Sequence, residues 1–204
     1  MPKKVLNVGG GNKAIGLPRQ YAGFQHVLLD IDPRGVPDIV GDARDLVARE
    51  GGDFDAIYCS HNLEHYYRHD VPKVLAGFRH VLKEGGFAHI LVPDIAELMR
   101  TTLERGLDID DVLYQSAEGP VRVLDVLYGF GPEIERSGQD FYAHKTGFTR
   151  KSLVTILLQS GFTHVFSGAG NLEVMAIAFK GSPDPAALSL FDLDASAAQR
   201  WKGL

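Results

Sequence analysis

Apolar residues in this chain gather in short runs, and glycine, proline or a polar cluster ends each one. Val5, Leu6 and Val8 form the first run, closed by the triplet Gly9, Gly10 and Gly11. Residues 26–30 and 36–40 form two more, closed by Asp30-Ile31-Asp32-Pro33 and Gly41-Asp42-Ala43. Residues 54–59 are apolar apart from Asp55, the pattern of a parallel strand buried on both faces. Residues 87–92 repeat it, with Pro93 behind them. Each of these runs predicts a strand.

Between the runs the period changes. Val71, Val74, Leu75, Phe78, Val81 and Leu82 share one face at helical spacing, which predicts a helix over 70–82 stopped by Gly85-Gly86. Shorter helices are predicted at 19–22, 44–50 and 95–103. The middle of the chain reads as two helical pieces, 110–116 and 121–128, broken by Gly129-Phe130-Gly131-Pro132 and followed by a polar, aromatic loop over 137–145. Thr149 is a suitable N-cap for a helix running to Gln159, with Gly161 just beyond its end. Two last strands, 162–167 and 173–179, are joined by a connection too short for a parallel crossover, so they must run antiparallel.

Strand alternating with helix predicts an α/β fold of parallel βαβ units. In such sheets a ligand lies outside the carboxyl ends of the strands. Those ends carry Gly9 to Gly11, Asp30, Asp42 and Ser60-His61, each polar or glycine-rich directly after an apolar run. From residue 182 onward the texture shifts to proline, alanine, leucine and serine. The organisation expected is one domain over 1–181, with a helical and loop insert at about 95–148, and a tail or appended helix over 182–204.

Composition narrows the partners. The 204 residues suffice for one full core. A net charge of -5 argues against a protein built on phosphate contacts, so no nucleic-acid partner is expected. No window approaches the ~18 apolar residues of a membrane span, and nothing ahead of the glycines reads as a signal peptide. The single cysteine, Cys59, forms no internal disulfide, which fits a cytoplasmic location.

The glycine triplet fits a tight turn and a nucleotide-like cofactor cradle equally well when taken alone. Gly9, Gly11 and Ala14, with Asp30 further on, satisfy the dinucleotide pattern. That pattern needs a helix beginning inside the turn to hold a pyrophosphate, and Gly16 and Pro18 disfavour one. A cofactor without a pyrophosphate would not miss it.

Five segments in order now resemble the class I S-adenosylmethionine-dependent methyltransferases, and within them the small bacterial type 11-like group. They are Leu6-Asn-Val-Gly-Gly-Gly-Asn12, Leu29-Asp-Ile-Asp-Pro33, Gly41-Asp-Ala-Arg-Asp45, Phe54-Asp-Ala-Ile-Tyr-Cys-Ser-His-Asn-Leu-Glu-His65 and Val81-Leu-Lys-Glu-Gly-Gly86. The resemblance implies a Rossmann-like, doubly wound sheet of seven mostly parallel strands with an antiparallel last strand, the insert serving as substrate cover. It implies S-adenosylmethionine as cofactor. The backbone of Gly9, Gly10 and Gly11, with Asn7 below it, would carry the methionine part. Asp30 and Ile31 would meet the ribose side, Asp42 and the Ala43 amide the adenine, and Ser60 and His61 the methyl-donor end. Asn7 stands where the wider family often has an acid.

If the acceptor is a hydroxyl, histidine is the usual base, and His144 and His61 are the catalytic candidates. His61, His65 and His69 recur every four residues and would share a helix face, if a helix runs that far. His61, Glu64 and His65, with His144 from the later loop, offer metal-binding chemistry. Leu63-Glu64-His65 is read instead as a brace for local backbone, and no metal is expected. Within 140–148, His144 reads equally well as a substrate-facing group and as a loop tether. Leu113, Tyr114, Val123, Leu127 and Tyr128 suit an acceptor pocket, a core or a homodimer face. The function expected is methyl transfer to a hydroxyl or amine of a small molecule or saccharide. The alternatives are a non-catalytic cofactor-binding module and an NAD-dependent oxidoreductase.

Overall fold

The computed structural model describes residues 2–117 and 119–199. The first strands form where expected: β1 at Lys4–Val8, β2 at Gln25–Asp30, β3 reduced to Ile39–Val40, and β4 at Phe54–Ser60. Helix α1 (Val71–Val81) leads straight into β5 (Leu82–Pro93). An antiparallel hairpin, β6 (Val112–Ser116) and β7 (Gly119–Arg122), follows helix α2 (Ile95–Glu104). Helices α3 (Val123–Tyr128), α4 (Gly131–Ser137) and α5 (Arg150–Gln159) precede the last strands, β8 (His164–Gly170) and β9 (Glu173–Phe179).

Seven strands make one sheet in the order β3-β2-β1-β4-β5-β9-β8. The first five run parallel. β9 is antiparallel to both of its neighbours, β5 and β8. The reversed last strand therefore lies inside the sheet.

Alternation along the strands divides the core in two. Leu6 and Val8, Ile57 and Cys59, and Ala88, Ile90 and Val92 point to one face, under α1, α5 and the 3-10 turn Ala43–Ala48. Val74, Leu75 and Phe78 of α1 are fully buried there, each contributing roughly 1.5–3 kcal/mol. Val5, Ala56, Phe87, Phe166, Ile177 and Phe179 point to the other face. Among the described residues no long helix covers that side. Tyr21, from the 3-10 turn Arg19–Tyr21, and the C-terminal segment do so, through Ala187 and Leu188 of helix α6 (Pro185–Leu190) and Phe191 and Leu193 beyond it. Gln199 then bonds to the backbone of Val165, capping the free edge of β8. Residues 200–204 of the expected tail lie outside the described residues.

The insert carries a small core of its own, made of Leu98, Leu113, Val123 and Val126. Leu127 packs against it, whereas Tyr114 and Tyr128 are exposed.

Four sequence expectations need correction. Residues 110–116 are not helical: Asp108 and Asp111 accept amides in a local turn, and Val112 to Ser116 pair with a segment containing Pro120, which a helix interior excludes. The helix expected at 121–128 consequently starts at Val123. Gly85-Gly86 do not stop α1. The chain enters β5 at Leu82, which pairs with Phe54, and the register shift before Phe87 pairs with Ala56 is a bulge with Gly85 at φ +77°. Gly129-Phe130-Gly131-Pro132 ends α3 as expected but also starts α4, with Pro132 in its first turn.

Candidate functional site

The sheet order sets the carboxyl ends of β3, β2, β1 and β4 side by side, so Asp42, Asp30, the glycine turn and Ser60-His61 form one rim. Gly9 and Gly11 adopt φ +71° and +68°, the left-handed region that glycine alone enters freely. A Cβ on Gly9 would lie 2.0 Å from Asn62 Nδ2, and one on Gly10 would lie 2.1 Å from Asn7 Nδ2. A Cβ on Gly35 would meet the Gly11 carbonyl oxygen at 1.6 Å, so a glycine remote in sequence supports the turn. No regular helix follows: residues 12–18 form turns before the 3-10 turn at Arg19, leaving no helix N-terminus for a pyrophosphate.

Asp30 is buried. Its carboxylate accepts the Gly11 amide at 2.8 Å and the Asp32 amide at 2.9 Å, tying β1 to β2 and leaving each oxygen a further lone pair. Asp42 caps the turn at Ala43, accepting the Arg44 amide at 2.8 Å and the Arg44 guanidinium at 2.6 Å. Burial pushes the Asp42 carboxyl upward, but the Arg44 contacts outweigh it and the net shift is down, so Asp42 is ionised. Asn7, at 4% exposure, lies below the turn with Nδ2 3.3 Å from His26 Nε2. Ile31, Asp42, Asn62, Tyr66 and Phe141 line a cavity of about 70 Å³ beside this rim. Ala43 is buried beneath it. Asn62 Oδ1 is buried without a hydrogen-bond partner.

A second cavity, of about 320 Å³, opens beyond β4. His61 and Glu173 stand on its sheet side, Tyr114 and Val121 come from the hairpin, and His144 and Phe130 from the segments after α3. Of the five apolar residues singled out from sequence, only Tyr114 lines it. A larger open groove between α5 and the C-terminal segment lies away from these strand ends.

Three histidines surround the buried Glu64, but not in the expected way. Between His61 and His69 only Leu63–His65 is helical, as one 3-10 turn, and His61 sits in the left-handed region at φ +49°. The four-residue spacing therefore stacks nothing, and His69 points away, with Tyr67 stacked on its ring. His61 Nε2 lies 2.5 Å from Glu173 Oε1 and Nδ1 3.5 Å from Glu64 Oε1. Burial works against the imidazolium, yet the two carboxylates prevail and push His61 up to about 10. It keeps its proton at neutral pH and does not fit the role of a base.

His144 differs. Burial lowers its pKa, so its ring is neutral. Its Nδ1 donates to the Val126 carbonyl at 3.0 Å, leaving Nε2 as the atom with a lone pair. It is thus both tether and cavity-facing group, the two readings its sequence left open.

Sequence reasoning missed Asn62, Gly35 and Glu173. Glu173 follows a turn with Asn171 and Leu172 both at positive φ, and only sheet order brings it to His61. The hairpin was missed with it.

Comparison with known proteins accords with this geometry. Residues 6–90 match the family model described as a methyltransferase domain, the type 11 form. No curated protein matches the sequence. Among solved structures, an O-methyltransferase family protein from Burkholderia thailandensis superposes with TM-score 0.58 at 12% identity, over 90% of this chain and 52% of that one. This chain thus spans about half the length of that relative. The 1,6-didemethyltoxoflavin-N1-methyltransferase of the same organism, solved with 1,6-didemethyltoxoflavin and S-adenosylhomocysteine bound, gives 0.53 at 18% identity, over 89% and 72%. A SAM-dependent methyltransferase from Archaeoglobus fulgidus gives 0.56 at 14%, over 87% and 86%. Residues 6–90 thus carry the pattern of a methyltransferase domain, and the sheet with its reversed strand has the fold of these solved methyltransferases.

Proposed function

We propose that the protein transfers a methyl group from S-adenosylmethionine to a hydroxyl or amine of a small molecule or saccharide held in the 320 Å³ cavity. The observation that carries this reading is the adjacency of that cavity to the rim of four strand ends, with His61 belonging to both.

The residues present fit the cofactor. Asp30 keeps lone pairs for ribose hydroxyls, and Asn62 Oδ1 is a buried acceptor without a donor in the rim. Ile31, Tyr66 and Phe141 supply apolar walls for adenine, beside Asp42 and the Ala43 amide. Gly9, Gly10 and Gly11, with Asn7 under them, keep the backbone open for the methionine end, and Ser60 and His61 border the methyl-donor end. The cofactor supplies an electrophilic methyl carbon on a sulfonium.

The chain's own part is positioning and exclusion of water. The hairpin and α3 cover the cavity. His61, held by Glu64 and Glu173, carries positive charge beside the transfer site. His144 offers the neutral imidazole that activates the acceptor. A cavity of this size and lining suits a compact, partly apolar acceptor.

Calorimetry with S-adenosylhomocysteine and with NAD tests the cofactor, and turnover against a panel of phenols, amines and saccharides tests the acceptor. Homocysteine-nucleoside binding without NAD binding is expected. NAD binding alone would overturn the reading, and cofactor binding with no turnover on any acceptor would favour the non-catalytic module.

A further inference from the structure

Glu64 is 1% exposed, and neither carboxylate oxygen has a hydrogen-bond partner. An ionised carboxylate so placed costs several kcal/mol unless something compensates it. His61 Nδ1 stands 3.5 Å away without making a hydrogen bond, and that ring is already engaged at 2.5 Å by Glu173. Two more imidazoles face the same carboxylate. The ligating atoms of Glu64, His65 and His144 lie within 4.8 Å of one another, and His144 Nε2 is 4.0 Å from Glu64 Oε1.

The second nitrogens explain the orientation. His65 Nδ1 lies 3.2 Å from the Ala143 carbonyl, and His144 Nδ1 lies 3.0 Å from the Val126 carbonyl. A carbonyl only accepts, so in both rings Nδ1 carries the hydrogen and Nε2 is left to ligate. The two rings meet edge to face at 4.9 Å. Imidazoles held through Nδ1 by backbone oxygens, with the other nitrogen left for a shared ion beside a carboxylate, form the arrangement that orients metal ligands. Bracing of backbone accounts for the two Nδ1 atoms and leaves the Glu64 carboxylate unexplained.

We propose that Glu64, His65 and His144 bind a divalent first-row transition ion, Zn²⁺ in the first instance, at the wall between the cofactor-side and acceptor-side cavities. His65 borders the first cavity and His144 lines the second. Two nitrogens and one carboxylate suit zinc with an open position, at ligand distances of about 2.0–2.2 Å. The three ligating atoms need to close by roughly 1 Å to reach them.

The ion's role rests on the methyl-transfer reading, although the site itself does not. An acceptor hydroxyl taking the open position releases its proton to water at neutral pH. Its oxygen lone pair then forms the new O–CH₃ bond as the S–CH₃ bond breaks, and that bond's electrons remain on sulfur. The products are a methyl ether and a neutral thioether. His144 activates the acceptor through the ion in this arrangement.

The test uses the whole chain after chelator treatment, titrated with Co²⁺ and then Zn²⁺, with S-adenosylhomocysteine calorimetry on the same sample. Visible d–d absorption at one equivalent of Co²⁺, displaced by Zn²⁺, is expected. Glu64→Gln, nearly isosteric, and His144→Gln should each weaken Zn²⁺ binding ~tenfold or more. If either variant fails to fold, the nitrogen and oxygen ligand count in the X-ray absorption spectrum of the wild-type zinc complex takes its place. Two results overturn the site: no stoichiometric binding by the wild type, or equal affinity in both folded variants. Homocysteine-nucleoside binding without metal binding sinks the site alone. Metal binding without it sinks the methyl-transfer reading alone.

Discussion

Tyr142 Oη donates to Asp32 Oδ2 at 2.5 Å, joining the end of the insert to the turn after β2 across 110 residues of sequence. Arg34 completes the contact, bonding both Asp32 and Tyr142 and standing 3.6 Å from Glu133 of α4. Hydrogen bonds from Arg34, with that of Tyr142, hold the Asp32 carboxyl far below the usual carboxylate range. Phe141 lines the cofactor-side cavity and packs on Tyr142 at 4.7 Å. Tyr142→Phe removes a charge-assisted hydrogen bond worth about 1.5–3 kcal/mol. Limited proteolysis within 129–148 should quicken severalfold, and S-adenosylhomocysteine affinity should fall. If both are unchanged, this contact does not hold the cover.

Asp30 joins the first two strands at the rim. In Asp30→Ala the Gly11 and Asp32 amides lose their acceptor, as does the ribose of the cofactor in the proposed function. Calorimetry should show cofactor affinity reduced by ~tenfold or more, with a loss of thermal stability. Unchanged affinity in a folded variant would mean that the ribose lies elsewhere.

Gly35 isolates the backbone's part. It is outside the glycine triplet and lines neither of the two cavities at the site, but its Cβ would meet the Gly11 carbonyl at 1.6 Å. That contact cannot be relieved by turning a side chain, so Gly35→Ala must displace the turn. Cofactor binding should weaken ~tenfold while the far-UV spectrum stays near wild type. Full affinity would show that the turn tolerates displacement.

These three positions show where sequence was legible. Asp30 and the triplet stand directly after apolar runs, and the βαβ rule sends strand ends to one rim, so their meeting there was readable from local pattern. Gly35 and Asn62 act through contacts between loops, which no periodicity encodes. The hairpin at Val112–Ser116 was missed because five residues with one buried position, Leu113, satisfy a helical template as easily as a strand. His61 was placed rightly at the end of β4, but its charge depends on Glu173, which arrives through the reversed strand β9. Spacing in the chain foretold where the cofactor candidates meet, and long-range pairing decided which histidine keeps its proton.

His89 gives a pH signature outside the site. It is 4% exposed on the face covered by Tyr21 and Phe191, with Nδ1 3.2 Å from Tyr21 Oη and Nε2 buried without a partner. Burial lowers its pKa from 6.5 to about 4. Between those values the unfolded chain binds a proton that the folded chain refuses. The stability from keeping this ring neutral is therefore complete above pH 6.5 and drains away as pH falls toward 4, by at most about 3 kcal/mol. The depressed carboxylates, Asp32 among them, lose their contribution at lower pH, whereas His26 and His144, also lowered by burial, drain in the same window, so the share of His89 is the difference in slope between wild type and variant. His89→Phe leaves the Tyr21 hydroxyl unpartnered and should lower stability at neutral pH. Its urea midpoint should nevertheless fall less steeply than that of the wild type between pH 6.5 and 5. Parallel slopes across that window would mean that His89 titrates normally and that the C-terminal segment does not seal this face.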